Sequence, residues 1–261
     1  MKIVRAAARL VRLDTSFAGF LSIWLPFMSR TRDVTVSSIA ALPLFFISVC
    51  TFIANDLSDI ERDRINHPER PLAKGEIRAE VAAGLYFVFL FLALMTIRFC
   101  IPSDGAFLYY VLLILSASYV HIVERAPGVK APYVATAIAL PVVIIASRYP
   151  AEKNLYVVAS AVLLFSLGKE LCMDLLDRPG DTYSFMHQIA AWRVASTAFA
   201  LQIIAMALLL LQSRRFLDVI VCALLTVSLA RSYLYWFREG QPKKALLIMR
   251  AQLFVGLYFA C

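Results

Sequence analysis

The stretch Asn-Asp-Leu-Ser-Asp-Ile-Glu-Arg-Asp, residues 55–63, follows directly on a long apolar run, and an altered version occupies residues 169–181 after another. On a helix, Asp56, Asp59 and Asp63 fall at i, i+3 and i+7, so their side chains line one face. The second block places four carboxylates at i, i+4, i+7 and i+11, which also line one face: Glu170, Asp174, Asp177 and Asp181. The sequence therefore predicts two acidic faces, each at the end of a hydrophobic helix.

The apolar content defines the class of protein. Hydrophobic residues make up 61% of the 261 residues, and the mean hydropathy is +0.74, whereas a soluble domain is about 45–50% apolar. We expect an all-α, polytopic membrane bundle of about nine transmembrane helices around a central cavity, with a polar cap on the cytoplasmic side and a single domain over residues 1–261. The spans are predicted near residues 14–29, 36–55, 81–101, 104–123, 132–149, 154–173, 190–211, 216–236 and 244–261.

The net charge of +8 indicates topology rather than nucleic-acid binding, because the charged residues lie between the apolar runs. The positive-inside rule places the N-terminus and both acidic blocks on the cytoplasmic side and the C-terminus on the opposite side. The basic N-terminal segment leads into a span continuous with the rest of the chain, so we expect no signal peptide. Five scattered cysteines predict neither a disulfide framework nor a metal site. The expected partner is the lipid bilayer.

Carboxylates at the ends of membrane helices require a cation. A carboxylate within a membrane costs about 2.5–3.5 kcal/mol on the insertion scale. Oxygen ligands without His or Cys at ligand spacing indicate a hard ion, and Mg²⁺ typically binds one or two carboxylates together with substrate phosphate oxygens. The alternative is a solvated helix end or a network of ion pairs with Lys and Arg. Two acidic blocks at equivalent helix ends favour the Mg²⁺ interpretation.

The polar loop of residues 64–78 carries three cations, Arg70, Lys74 and Arg78, and its prolines and glycine exclude one continuous helix. These cations either balance the nearby acids or bind the outer oxygens of a diphosphate that Mg²⁺ bridges to the carboxylates. We favour diphosphate binding, because loops of this length often cover active sites.

Three residues are candidates for binding an acceptor or transferring a proton: Tyr119, Glu170 and His187. Tyr119 follows the fourth span, where a tyrosine also serves as an interfacial anchor. His187 follows the second acidic block, and a loop histidine is more often only solvated. The aromatic residues of the third and fourth spans face lipid or neighbouring helices, and some of them could line a tunnel for an isoprenoid chain.

The chain resembles the UbiA superfamily of intramembrane prenyltransferases over essentially its whole length. The resemblance rests on Arg12-Leu13-Asp14 with Gly19 and Pro26 in the first span, on the N-D-x-x-D-x-x-x-D block at residues 55–63, on Asn66, Arg70, Pro71 and Gly75 in the loop, and on the D-x-x-D-x-x-G-D block at residues 174–181. The paired acidic blocks are the specific part of the match.

By this resemblance, a cytoplasm-facing cavity with a side opening to lipid admits a polyprenyl diphosphate. The resemblance implies two Mg²⁺ ions, held by Asn55, Asp56, Asp59 and Asp63 on one side and by Asp174, Asp177 and Asp181 on the other. We expect Asp59, Asp63, Asp177 and Asp181 to be catalytic, and the diphosphate to be bound by Arg62, Arg70, Lys74, Lys169 and Arg178. Metal ions and cations would neutralise the leaving diphosphate, so that the allylic C–O bond ionises and a nucleophile captures the carbocation.

The acceptor side departs from the family pattern. Many relatives carry a Tyr and Lys pair after the fourth span, whereas here Tyr119 is present, Glu124 stands where the lysine is expected, and Lys130 is displaced. We expect an enzyme that transfers a prenyl group to a small acceptor, most often aromatic in this superfamily. The alternative is a membrane terpene cyclase without an acceptor. A cation transporter is disfavoured, because transport sites lie near the membrane midplane and not at helix ends on one side.

Overall fold

The computed structural model describes residues 2–177, 189–213 and 215–261, and the regular structure in these ranges is helical. The helices are α1 (Lys2–Leu10), α2 (Leu13–Thr31), α3 (Val34–Ser58), α4 (Ile60–Asn66), α5 (Ala79–Cys100), α6 (Ser103–Arg125), α7 (Lys130–Arg148), α8 (Asn154–Asp177), α9 (Ala191–Gln212), α10 (Phe216–Phe237) and α11 (Pro242–Gly256). Short 3₁₀ turns cover Pro127–Val129 and Leu257–Ala260. The prediction of an all-α fold is confirmed.

Helices α2, α3 and α5 to α11 overlap the predicted spans. Within the described ranges, six helices are long and apolar enough to cross a membrane: α3, α5, α7, α8, α9 and α10. Helix α11 has only 15 residues, which is shorter than the roughly 20 residues that cross a bilayer at 1.5 Å per residue. The exact number of nine spans stays a prediction.

In the described part of the chain, two compact units meet in sequence near Pro127. The first unit contains α1 to α6, and the second contains α7 to α11. A single domain over residues 1–261 stays a prediction. Each unit has its own core helix.

Helix α3 is the core helix of the first unit and packs against α2, α5 and α6. Asp33 begins α3 by accepting hydrogen bonds from the amides of Thr35 and Val36, at 2.7 and 3.1 Å, as expected of an N-cap aspartate. The buried Tyr109 of α6 donates to the carbonyl oxygen of Ala40, at 2.7 Å. The Phe46 ring of α3 packs against the Phe89 ring of α5, with centroids 6.1 Å apart. These contacts fix the N-terminal half of α3, and the first acidic block lies at its C-terminal end.

Helix α8 is the core helix of the second unit, and it packs against α7, α9 and α11. The α8–α9 contact is close at Gly168, where an added Cβ atom would lie 2.4 Å from the carbonyl oxygen of Ala198. Buried apolar residues of α8, α9, α10 and α11, among them Phe165, Phe199 and Leu225, form one cluster below the second acidic block. The block therefore lies at the end of a tightly packed helix.

Candidate active site

The first acidic block is divided between two helices. Helix α3 ends at Ser58 and α4 begins at Ile60, so Asp59 lies at the junction. Hydrogen bonds from the Asp59 amide to the Asn55 carbonyl, 3.0 Å, and from the Asp63 amide to the Asp59 carbonyl, 2.7 Å, keep the helical i to i−4 pattern on both sides. The sequence predicted these carboxylates on one face of a helix; the structure divides the helix at Asp59, and Arg70 still reaches both Asp56 and Asp63.

Asp56 and Asp63 are the two buried carboxylates of this block, with residue exposures of 1% and 4%. Arg70 contacts both of them. Its Nη1 atom lies 2.7 and 2.6 Å from the two carboxylate oxygens of Asp63 and 3.4 Å from Oδ1 of Asp56. Because one guanidinium nitrogen reaches both residues, the loop after α4 brings a cation to the acids, and the predicted binding of diphosphate by Arg70 stays a prediction.

Arg12 is a second cation at this site, and its Nη2 atom lies 2.5 Å from Oδ1 of Asp56. It lies between α1 and α2 with a left-handed backbone, φ 43°, which is uncommon for a residue with a side chain. Its guanidinium also stacks over the Phe52 ring, 4.8 Å from the centroid. Sequence reasoning placed Arg12 in the family motif but assigned it no partner, since the pair spans 44 positions.

The other predicted cations of the first unit have different partners. Arg62 forms an ion pair with Asp59 one turn earlier on the chain. Lys74 is 59% exposed and pairs with Glu76, with Nζ 2.8 Å from Oε1. The structure thus brings Arg62 and Arg70 to the acidic block, and it places Lys74 on the loop surface.

Burial shifts the pKa values of Asp63 and Arg12, two groups that lie outside the membrane spans. It raises the pKa of the Asp63 carboxyl, and the hydrogen bond from Arg70 opposes this rise. It lowers the pKa of the Arg12 guanidinium, and the charge of Asp56 opposes this fall. In each case burial favours the neutral form, and the opposite charge of the partner favours the charged form.

The second acidic block lies at the end of α8. Lys169 and Glu170 are buried, with residue exposures of 9% and 8%, and form an ion pair at 2.5 Å. Lys130, at the start of α7, reaches Oδ1 of Asp174 at 2.6 Å. Lys130, which is displaced from the lysine position of the family pattern, therefore contacts the acidic block from the neighbouring helix. No local sequence pattern predicts this contact.

Several predicted residues lie where the structure gives no side-chain description. Helix α8 ends at Asp177, whose side chain is outside the described part, as are Arg178, Asp181 and His187. Tyr119 lies in α6 and is half-buried. The side chain of Glu124 is likewise not described. The roles predicted for these residues stay predictions.

The described donors suit a hard cation. In residues 2–177, 189–213 and 215–261, no three His, Cys, Asp or Glu side chains come together as a group that could hold a metal ion. Instead, Arg70 contacts both Asp56 and Asp63, and Arg12 contacts Asp56. Asp56 and Asp63 are buried and both contact Arg70. Each offers only oxygen atoms to a metal ion. Oxygen donors of this kind are the ligands that Mg²⁺ prefers.

Helices able to cross a membrane, with buried carboxylates and cations at the end of the core helix of each unit, define an integral membrane protein with charged helix ends. The model of the UbiA prenyltransferase family matches residues 15–256. The chain therefore belongs to this family.

Curated relatives match over shorter stretches. Digeranylgeranylglyceryl phosphate synthase of Sulfurisphaera tokodaii is 30% identical over 95 residues, which is 35% of this chain and 34% of the relative. The enzyme of the same name from Methanocaldococcus jannaschii is 36% identical over 63 residues, 24% of this chain and 22% of the relative. These matches span about a third or less of each relative.

Solved structures share the fold over nearly the full length. A digeranylgeranylglyceryl phosphate synthase structure has a TM-score of 0.70 with 19% identity and covers 100% of this chain and 99% of the other. A UbiA homologue from Archaeoglobus fulgidus bound to GPP and Mg²⁺ has a TM-score of 0.68 with 16% identity, covering 98% of both chains. The apo UbiA homologue from Aeropyrum pernix K1 reaches 0.75 with 13% identity, covering 94% of this chain and 96% of the other. At these identities the likeness concerns the fold.

Proposed function

We propose that this protein is a Mg²⁺-dependent prenyltransferase that moves a prenyl group from an isoprenyl diphosphate to a small acceptor within the membrane. The observation that carries this proposal is Arg70, a loop cation held between two buried carboxylates in a member of the UbiA family. Such a site can exchange partners with a bound metal–diphosphate complex. The relatives' names agree, since one solved homologue binds GPP with Mg²⁺ and another DMAPP with Mg²⁺.

Two sets of residues would hold two Mg²⁺ ions. The first set is Asn55, Asp56, Asp59 and Asp63, and the second is Asp174, Asp177 and Asp181. When bound, Mg²⁺ would supply positive charge that stabilises the departing diphosphate. Asp59, Asp63, Asp177 and Asp181 are the residues whose loss should affect the reaction most, because each would contribute charge next to the reacting phosphate.

The protein's own cations would grip the diphosphate, and we assign this role to Arg62, Arg70, Lys74, Lys169 and Arg178. Arg70 is the best supported by geometry, since its guanidinium is only 20% exposed and already lies beside anionic oxygens. Donors placed in a poorly hydrated site stabilise developing charge more strongly than exposed ones. Arg12 occupies a comparable position next to Asp56 and joins this group.

The acceptor would lose a proton as its new bond to the prenyl carbon forms and the bond to the diphosphate oxygen breaks. Tyr119, Glu170 and His187 are the proposed residues on this side, and Glu170 is the buried carboxylate among those described. Two acceptor classes are worth testing. An aromatic ring is the class that the family resemblance implies, and a glyceryl phosphate is suggested by the name of the curated relatives.

We also propose the membrane arrangement. The N-terminus and both acidic blocks would face the cytoplasm, and the C-terminus the opposite side, because Lys and Arg concentrate on the side of the acidic blocks. The bundle would form one functional domain over residues 1–261.

The proposal is tested with purified protein in nanodiscs, Mg²⁺, and a series of isoprenyl diphosphates, with and without an aromatic acid or a glyceryl phosphate. Diphosphate release that depends on the acceptor, together with a prenylated product in the mass spectrum, is the expected result. Release without an acceptor, giving a hydrocarbon or terpene alcohol, would identify a terpene cyclase instead. No release with any donor would reject both activities.

A further inference from the structure

The loop between α4 and α5 is tied to α1 by a group of charged contacts that includes no carboxylate of the first acidic block. Arg9 of α1 donates to Oε2 of Glu76 and, from Nη1, to the backbone carbonyl of Glu69 at 3.4 Å. Lys74 donates to the other oxygen of Glu76, at 2.8 Å. We call Arg9, Glu76 and Lys74 with these contacts the α1 brace. The Glu76 carboxylate thus links Arg9 of α1 to Lys74 on the same loop.

A buried apolar contact lies beneath the α1 brace. Leu10, the neighbour of Arg9, is fully buried, and Leu72 of the loop is 6% exposed. Both belong to one core cluster that also contains Val49 and Ile53 of α3. The loop is therefore attached to α1 and α3 by packing and closed on its outer side by the α1 brace.

The turn that the brace closes begins at Arg70. The Lys74 amide donates to the Arg70 carbonyl at 2.9 Å, and the Glu76 amide donates to the Pro71 carbonyl at 2.8 Å. Gly75 has a positive φ of 72° at the tip, which glycine adopts without strain. The backbone of Arg70 is thus part of the braced turn, while its guanidinium reaches inward to Asp63 and Asp56.

The brace differs from an ordinary surface ion pair in what it connects. Glu76 holds two cations from separate segments, and the side chain is 27% exposed although it lies on a loop. Its pKa is lowered, chiefly by the hydrogen bond from Lys74 and further by Arg9, so the charged form is favoured. Without the α1 brace the loop would sample many conformations. The Arg70 guanidinium would then lie in the position for binding diphosphate only part of the time.

We propose that Arg9 and Glu76 are positioning residues that hold Arg70 in place for binding the diphosphate. They act through the turn and do not themselves touch the substrate. The inference rests on the proposed function, because it assigns Arg70 to the diphosphate. It adds that the N-terminal helix α1 is part of the machinery that orders the active-site loop.

The first experiment measures the loop itself and does not depend on activity. Hydrogen–deuterium exchange of the 68–77 segment is compared in wild type, Arg9→Gln and Glu76→Gln, all in the same detergent. We expect faster exchange of the Lys74 and Glu76 amides in both variants, with the same melting temperature. Glu80→Gln is the matched control, because Glu80 forms an exposed ion pair with Arg78 at the other end of the loop, and its exchange should equal that of wild type.

The second experiment measures binding of inorganic diphosphate with Mg²⁺ by calorimetry, in a double-mutant cycle. Arg9→Gln should weaken binding about fivefold in the wild-type background and leave it unchanged in the Arg70→Gln background, since coupled residues are not additive. Arg9→Lys should restore part of the affinity, because a lysine can still pair with Glu76. A role confined to stability would shift the melting temperature and show no dependence on Arg70.

The outcomes separate the two levels of the proposal. Wild-type exchange in Arg9→Gln and Glu76→Gln would overturn the brace. A faster-exchanging loop with undiminished diphosphate binding, or an equal effect in the Arg70→Gln background, would overturn the positioning role. A wild-type protein that binds no diphosphate at all would overturn the proposed function, and the positioning role with it, whatever the exchange of the loop shows.

Discussion

Arg70 lies within 2.7 Å of both carboxylate oxygens of Asp63, and the same nitrogen also reaches Asp56. A single loop residue therefore contacts both buried acids of the first block, and Arg12 supplies the second cation, next to Asp56. A charged pair in a buried position is stable only while both partners are present, because removing one leaves an uncompensated charge. This relationship makes Arg70 both a structural counter-ion and a candidate ligand of the substrate.

Replacing Arg70 with glutamine should reduce kcat and kcat/KM together. The guanidinium would stabilise charge that develops on the leaving group, and loss of one such donor costs about 100-fold or more in rate. The measurement is steady-state kinetics in nanodiscs with a thermal melt beside it. Lys74→Ala should have a smaller effect, since Lys74 is exposed and pairs with Glu76. Wild-type kcat in Arg70→Gln would show that this arginine only balances charge.

The Asp59→Asn variant should keep the fold and lose most turnover. The amide preserves the shape of the side chain, while the charge that would bind a metal ion is removed. Asp59 is half-buried at the junction of α3 and α4 and pairs with Arg62 on the surface side, so stability should change by less than about 1 kcal/mol. Circular dichroism and a melt in detergent check the fold, and diphosphate release checks turnover. Retained activity at ordinary Mg²⁺ would contradict the metal assignment.

Local patterns in the sequence predicted the parts of the molecule that depend on neighbours along the chain. The apolar runs located the helices, because burial in a bilayer demands about 20 apolar residues in succession. The acidic blocks could be placed at helix ends, since they directly follow such runs. The break at Asp59 was missed because a helix interruption of one residue leaves the spacing of Asp56 and Asp63 unchanged.

Contacts between distant segments could not be predicted in this way. Arg12 meets Asp56 across 44 positions, and Lys130 meets Asp174 across α7 and α8. Each pair depends on how helices pack, and helix packing is not encoded in the spacing of charges within one segment. The tie between Arg9 and Glu76, 67 positions apart, is a further example. A family resemblance named Arg12 as part of a motif, but only the packed structure shows its partner.

Removal of divalent metal should abolish activity reversibly. EDTA withdraws Mg²⁺, and the buried carboxylates and arginines would then remain paired with one another, as they are in the described structure. Added Mg²⁺ should restore turnover, whereas Ca²⁺ should restore it poorly, because its larger and more flexible coordination suits a different site. The assay is diphosphate release before and after chelation. Full activity in excess EDTA would contradict a metal-dependent reaction.

The final prediction concerns Gly168, where α8 and α9 are in close contact. A Cβ atom there would lie 2.4 Å from the Ala198 carbonyl oxygen and 2.9 Å from Cγ of Gln202. The backbone oxygen cannot rotate away, so Gly168→Ala should force the helices apart and destabilise the protein by about 1–3 kcal/mol. Because Glu170 and Asp174 follow on the same helix, activity should fall as well.

Gly84→Ala is the control, since its Cβ would meet nothing within 4 Å and alanine is favoured over glycine in a helix by about 1 kcal/mol. Thermal melts in one detergent compare the two, and equal melting temperatures would mean that α8 and α9 are not packed this closely in the membrane protein.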